Sequence, residues 1–78
     1  MAKLYFENRF DKKFLIAEGS YKKEDILSSG VLDLINQDLK NNKSPYANNS
    51  YIRWWFDEDL NSTILDFGSP SEFYILEH

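Results

Sequence analysis

The chain has no cysteine and only one histidine among its 78 residues, which restricts its chemistry. Without cysteine, disulfides and thiolate metal sites are excluded. The histidine is the final residue, and we interpret residues 76–78 as the remnant of a purification tag, which leaves one domain over residues 1–75. That domain would lack the usual general acid–base at neutral pH. We therefore expect a non-enzymatic protein with no catalytic residue and no cofactor.

Long apolar runs and a strong charge of one sign are also missing. No apolar run approaches the ~18 residues that a membrane-spanning helix needs. Because Met1 leads directly into a charged, alternating segment, we expect no signal peptide. The formal net charge of −4 disfavours binding to the phosphates of nucleic acids. We expect a cytoplasmic protein that contacts neither membrane nor nucleic acid.

The hydrophobic patterns predict an α+β domain. Strands are predicted at residues 3–8, 13–19, 51–57, 63–67 and 72–75, and one helix at residues 21–40. This β-β-α-β-β-β order indicates an antiparallel sheet with the helix packed on one face. A run of poor helix formers predicts a bend or break near Gly30, and Pro45 is expected to close the helix.

The segment Tyr51-Ile52-Arg53-Trp54-Trp55-Phe56 is more apolar than one half-buried strand requires. Successive side chains of a strand point to opposite faces, so Ile52, Trp54 and Phe56 would form a core stripe. Tyr51, Arg53 and Trp55 would then share the other face, with the composition typical of a protein-binding hot spot.

Two interpretations of that second face stay open. In one, Tyr51, Arg53 and Trp55 join Tyr74 or Phe73 of a neighbouring strand in a docking surface for an unidentified host or phage protein, or for a second copy in a homodimer. In the other, the aromatic residues are plain core packing. A β-bulge in this strand would change the alternation, and the division of its side chains between two faces would then no longer hold.

Acidic residues suggest two further hypotheses. Residues 57–66 match the front half of a calcium-binding loop, but Ser62 and Gly68 stand where that loop needs Gly and Glu, so a hairpin turn without metal is preferred. An acidic DNA mimic or nucleic-acid-directed regulator is the alternative function. Its acidic side chains would come from the helix and from the loop after Phe56: Glu24, Asp25, Asp33, Asp38, Asp57, Glu58 and Asp59.

The C-terminal third resembles a known group of proteins. The run from Tyr51 to Phe56, followed by Leu65-Asp66-Phe67-Gly68-Ser69-Pro70-Ser71-Glu72-Phe73-Tyr74-Ile75, is similar to small uncharacterised proteins encoded by phages and prophages of low-GC Gram-positive bacteria. The shared motif is structural: Gly68, Ser69 and Pro70 make a tight turn to which Asp66 is expected to bond. The resemblance implies an accessory protein that binds a host or phage protein.

Overall fold

A computed structural model describes residues 1–21, 26, 30–47 and 52–78. Its elements are β1 (Ala2–Glu7), β2 (Lys13–Gly19), α1 (Val31–Asn41), β3 (Arg53–Asp57), β4 (Ser62–Asp66) and β5 (Phe73–Glu77). The strands form one antiparallel sheet in the order β2-β1-β5-β4-β3. This architecture confirms the predicted α+β fold and its β-β-α-β-β-β order. The first and last strands pair at the centre of the sheet.

The β1–β2 hairpin is closed by a loop that uses side-chain capping instead of an Asn-Gly turn. Asn8 Oδ1 accepts hydrogen bonds from the backbone N–H groups of Phe10 at 2.9 Å and Lys12 at 3.1 Å. Asp11 adopts a positive φ of 61°, a conformation that Asp tolerates better than most residues. Further along the hairpin, the register shifts between Leu4 and Tyr5, so that Ile16 is the extra residue of a β-bulge.

The core lies between α1 and one face of the sheet. Val31, Ile35 and Leu39 follow the helical spacing of four and are fully or almost fully buried. They form one cluster with the following buried residues: Ala2, Leu4, Ile26, Leu65, Phe67, Tyr74 and Leu76. The described apolar residues of the predicted helical segment therefore lie in the core or pack against it.

Helix α1 begins directly after Gly30, which has the left-handed φ of 83°. Of the predicted helical segment before it, only Tyr21 and Ile26 are among the described residues, so a helix there stays a prediction.

The C-terminus of α1 ends in a Schellman motif. The N–H of Ser44 donates to the carbonyl of Leu39 at 2.9 Å, and the N–H of Lys43 donates to that of Lys40 at 3.1 Å. Lys43 takes the left-handed conformation with φ 53°, where glycine is the usual residue. The helix is therefore closed before Pro45, by hydrogen bonds that the proline-based prediction did not include.

Strand β5 includes Leu76 and Glu77, which the sequence assigned to a tag remnant. Leu76 is fully buried and pairs with Leu4 on one side and Thr63 on the other. It fills the core whatever its origin, and the tag interpretation stays a prediction. Within the described part of the chain, no helix is both long enough and apolar enough to cross a bilayer.

Candidate functional site

The two faces of strand β3 differ as the alternation predicts. Trp54 pairs with the buried Leu65 on the face that carries α1, and Trp55 pairs with Ile64 on the opposite face. Trp55 is 47% exposed. We call the sheet face opposite α1 the open face. Arg53 and Trp55 both lie on it, in agreement with the predicted division of the segment.

Residues on the open face line up in a continuous apolar row across all five strands. Trp55 pairs with Ile64, Ile64 with Ile75, Ile75 with Tyr5, and Tyr5 with Leu15. We call these five residues the central row. Its two ends are the most exposed, with Trp55 and Leu15 each about half accessible, whereas Ile75 in the middle is buried.

Two rows that contain charged residues border the central row. The Arg53 row consists of Arg53, Asp66, Phe73, Glu7 and Lys13. The Asp57 row consists of Asp57, Ser62, Glu77, Lys3 and Glu18. An apolar stripe with a charged rim is the usual anatomy of a protein interface.

Within the Arg53 row, Phe73 and Lys13 extend the aromatic surface. The ring of Phe73 meets that of Trp55 edge-on, with the centroids 6.5 Å apart. On the other side of the face, Lys13 Nζ lies 5.9 Å from the centroid of the Tyr5 ring, within the range of a cation–π contact. Both contacts hold large side chains against the face.

One predicted site residue lies away from the open face, and another cannot be assigned to either face. Tyr74 is 1% exposed and points toward α1, because it pairs with Phe6 and Leu65 in the core layer. The structure therefore corrects its assignment to the docking surface, where its neighbour Phe73 lies instead. Tyr51 lies outside the described residues.

Trp54 and Phe56 depart from the expectation of a plain core stripe. Trp54 is 37% exposed, and Phe56 is partly buried. Both belong to the edge strand β3, whereas Ile52, directly before this strand, packs against the core cluster. Trp54 and Phe56 thus lie at the border of the core.

Arg53 is held in place by the only salt bridge among the described residues. Its Nη2 donates to Asp66 Oδ2 at 2.9 Å, and Asp66 Oδ1 accepts the backbone N–H of Gly68 at 2.9 Å. The second bond confirms that Asp66 ties down the turn at Gly68, which has a φ of 107°. One carboxylate therefore fixes both the β4–β5 turn and the open-face guanidinium.

The acidic loop after β3 is a hairpin turn. Asp57 Oδ1 accepts the backbone N–H groups of Asp59 at 3.0 Å and Leu60 at 3.3 Å, and Asn61 adopts a φ of 47°. These are the contacts that make Asp and Asn favourable in turns. The described residues contain no group of three or more candidate ligands that could hold a metal ion.

A pocket of about 610 Å³ lies on the other side of the sheet, beside the C-terminal end of α1. Two of its lining residues are joined by a hydrogen bond, in which the hydroxyl of Tyr74 donates to Asp38 Oδ2 at 2.5 Å. The pKa of Tyr74 is raised above its usual value, first by burial, then by the hydrogen bond to Asp38 and by the negative charges of Asp38 and Glu72. The sequence alone gave no indication of this pocket, because its walls come from distant segments.

Comparison of the chain with protein-family models, with curated proteins and with solved structures gives no match. The resemblance to phage and prophage proteins therefore stays a prediction.

Proposed function

We propose that the protein acts by protein–protein contact through its open face, and that the occupant of this face is a second copy of the chain. The observation that carries the proposal is the central row, an apolar stripe that runs unbroken across five strands between two charged rows. It contains Trp55 and Tyr5 and borders Arg53, and Trp, Tyr and Arg are the residue types enriched in binding hot spots.

The signs of the charges favour self-association. If two copies stack face to face around a twofold axis along the central row, each strand lies over its own copy, and the Arg53 row lies over the Asp57 row. Opposite charges then meet on three strands: Arg53 with Asp57 on β3, Glu7 with Lys3 on β1, and Lys13 with Glu18 on β2. The central row lies over itself, and no like charges face each other.

A twofold axis parallel to the strands gives the opposite result. The edge strands β2 and β3 would then lie over each other, and each charged row would lie over its own copy. Arg53 would face Lys13, and Asp57 would face Glu18, so that like charges would meet at both edges. Because like charges in an interface suppress association, the pattern selects the axis along the central row.

The size of the face indicates a weak dimer. Five strands spaced ~4.8 Å apart, with three residues each on one face, give a flat footprint of about 400 Å². A standard stable interface buries roughly 800 Å² per partner. We therefore expect dimerisation at micromolar or higher concentrations, with the sheets packed about 10 Å apart as in a β-sandwich.

Sedimentation equilibrium at protein concentrations up to about 1 mM tests the proposal. This range extends well above the micromolar concentrations at which a weak dimer begins to form. Trp55→Ala should weaken dimerisation about tenfold or more, because it removes an aromatic anchor from the interface. Trp54→Ala is the matched control, since this neighbouring Trp is on the opposite face and should leave dimerisation unchanged.

A charge exchange on β2 tests the twofold axis. Lys13→Glu should weaken the dimer, because it places two acidic side chains over each other at both symmetric positions, and adding Glu18→Lys should restore it. Lys40→Glu, which makes the same change on the exposed side of α1, is the control.

A protein that stays monomeric at 1 mM, or a dimer that responds equally to both Trp variants, would exclude the second copy as the occupant.

An accessory role for a phage or prophage, a cytoplasmic location and a separate host or phage partner complete this proposal, and they rest on the sequence alone. Of the acidic residues named for the DNA-mimic alternative, Asp57 bonds within its own turn and Asp38 bonds to Tyr74, while Glu24 and Asp25 lie outside the described residues, so this alternative stays a prediction.

A further inference from the structure

The pocket beside the C-terminal end of α1 has the lining of a small-molecule site. Its volume of about 610 Å³ falls within the ~300–1,000 Å³ range of known ligand pockets. Four aromatic rings line it, those of Phe6, Phe14, Phe67 and Tyr74. Phe6, Phe67 and Tyr74 form a packed cluster with centroid distances between 5.2 and 6.5 Å, in which Phe67 and Tyr74 are almost fully buried, so that the accessible ring surface comes from Phe6 and Phe14.

The polar groups of the pocket favour a positive charge. Asp38 and Glu72 both line it, and among the described residues the only cationic one in the lining is Lys43, which is exposed. Neither carboxylate forms a salt bridge with any other described residue. The C-terminal end of a helix carries the negative end of its dipole, and α1 ends at Asn41 beside the pocket.

From these observations we infer that the pocket binds a small organic cation with an aromatic or aliphatic body. The body would lie against the aromatic rings, and the ammonium group would sit close to Asp38 and Glu72. Aromatic faces attract cations through their quadrupole, so walls and charges favour the same class of ligand. The pocket lies on the α1 side of the sheet, so this inference is independent of the open face.

The raised pKa of Tyr74 agrees with this assignment. Burial is the largest cause of the rise in pKa, and the hydrogen bond to Asp38 and the negative charges of Asp38 and Glu72 add to it. The same field that disfavours a tyrosinate favours an ammonium group.

A series of three probes with the same body and different charge tests the inference. Phenethylamine, 2-phenylethanol and phenylacetate are titrated separately into ¹⁵N-labelled protein, and the amide shifts are followed by NMR. Phenethylamine should give saturable shifts at residues around the pocket, such as Leu39 and Asn42. The alcohol should bind about tenfold more weakly and phenylacetate more weakly still.

Asp38→Asn and Glu72→Gln should each weaken phenethylamine binding about tenfold, because they remove a charge but keep an oxygen that accepts the existing hydrogen bond. Asp33→Asn is the matched control, since Asp33 is exposed in the first turn of the same helix. If Asp38→Asn fails to fold, Glu72→Gln and the probe series still test the inference.

The inference would be overturned by equal binding of all three probes or by stronger binding of phenylacetate. It would also be overturned by the lack of a saturable shift at 10 mM phenethylamine, or by shifts confined to the open face.

Discussion

Replacing Tyr74 with Phe tests the buried polar contact that joins β5 to α1. The Tyr74 hydroxyl donates to Asp38 at 2.5 Å, and the rest of the side chain is almost fully buried. A hydrogen bond to a charged group contributes roughly 1.5–3 kcal/mol to stability. Asp38 is only partly buried, so water can replace the lost donor, and we expect a loss of about 1.5 kcal/mol at pH 7.

The pH dependence of that loss provides a sharper test. Burial and the neighbouring carboxylates hold the pKa of Tyr74 well above its usual value of 10.0. Above pH 10, the unfolded chain loses this proton while the folded protein keeps it, so unfolding becomes more favourable. The contribution of Tyr74 is fully present below pH 10 and then falls by up to about 1.4 kcal/mol per pH unit.

Urea unfolding followed by circular dichroism between pH 7 and pH 11 measures the effect. From pH 10 to pH 11, the wild-type protein should lose about 1 kcal/mol more than Tyr74→Phe, because the variant has no proton to release at this site. Trp54→Phe on the same face of the sheet is the control and should keep the wild-type slope, because neither side chain has a proton to release in this range. Equal alkaline losses in wild type and Tyr74→Phe would refute the reasoning.

Two further pairs of variants test local geometry by urea unfolding. Gly30→Ala should destabilise the folded protein by about 1 kcal/mol. An added Cβ would meet nothing within 4 Å, so the cost comes from the left-handed φ alone. Lys43→Gly should stabilise the protein by about 0.5 kcal/mol, because glycine adopts the left-handed φ of this position without strain. Arg53→Ala should cost less than about 0.5 kcal/mol because the guanidinium is exposed, and Asp66→Ala should cost about 1 kcal/mol more because the N–H of Gly68 also loses its acceptor. A glycine at position 43 that destabilises, or equal losses at Arg53 and Asp66, would contradict these assignments.

The strands could be predicted from the sequence because their signals are local. Alternation over five to seven residues placed β1 to β5 within two residues of their observed bounds, and it divided Trp54 from Trp55 correctly. The same reasoning could not place Tyr74. The alternation within β5 puts Phe73 and Tyr74 on opposite faces of the sheet. Which of these faces meets the helix depends on the strand order, which the local pattern does not give.

The central row was also beyond prediction, for a related reason. Leu15 and Trp55 lie at opposite edges of the sheet, and they join one row only because β5 inserts between β1 and β4. The sequence carried a partial signal, since Tyr5 and Leu15 are large apolar residues in strands that alternate. That the two residues lie side by side follows only from the strand register, in which the bulge at Ile16 keeps Leu15 opposite Tyr5.

The number of strands explains why this chain leaves aromatic residues exposed. Five strands span roughly 19–24 Å across the sheet, whereas a helix with its side chains is only ~10–12 Å wide. Helix α1 can therefore cover about half of one face, and its buried residues form one cluster with those of the middle strands. Phe14 on β2 and Trp54 on β3, nearer the two edges, stay partly exposed. On the opposite face no described element lies over the sheet, yet Trp55 and Leu15 are there. A second sheet stacked on that face would cover both ends of the central row but would leave Trp54 untouched. The two neighbouring tryptophans should therefore respond differently to self-association, and this difference separates a docking surface from an unfinished core.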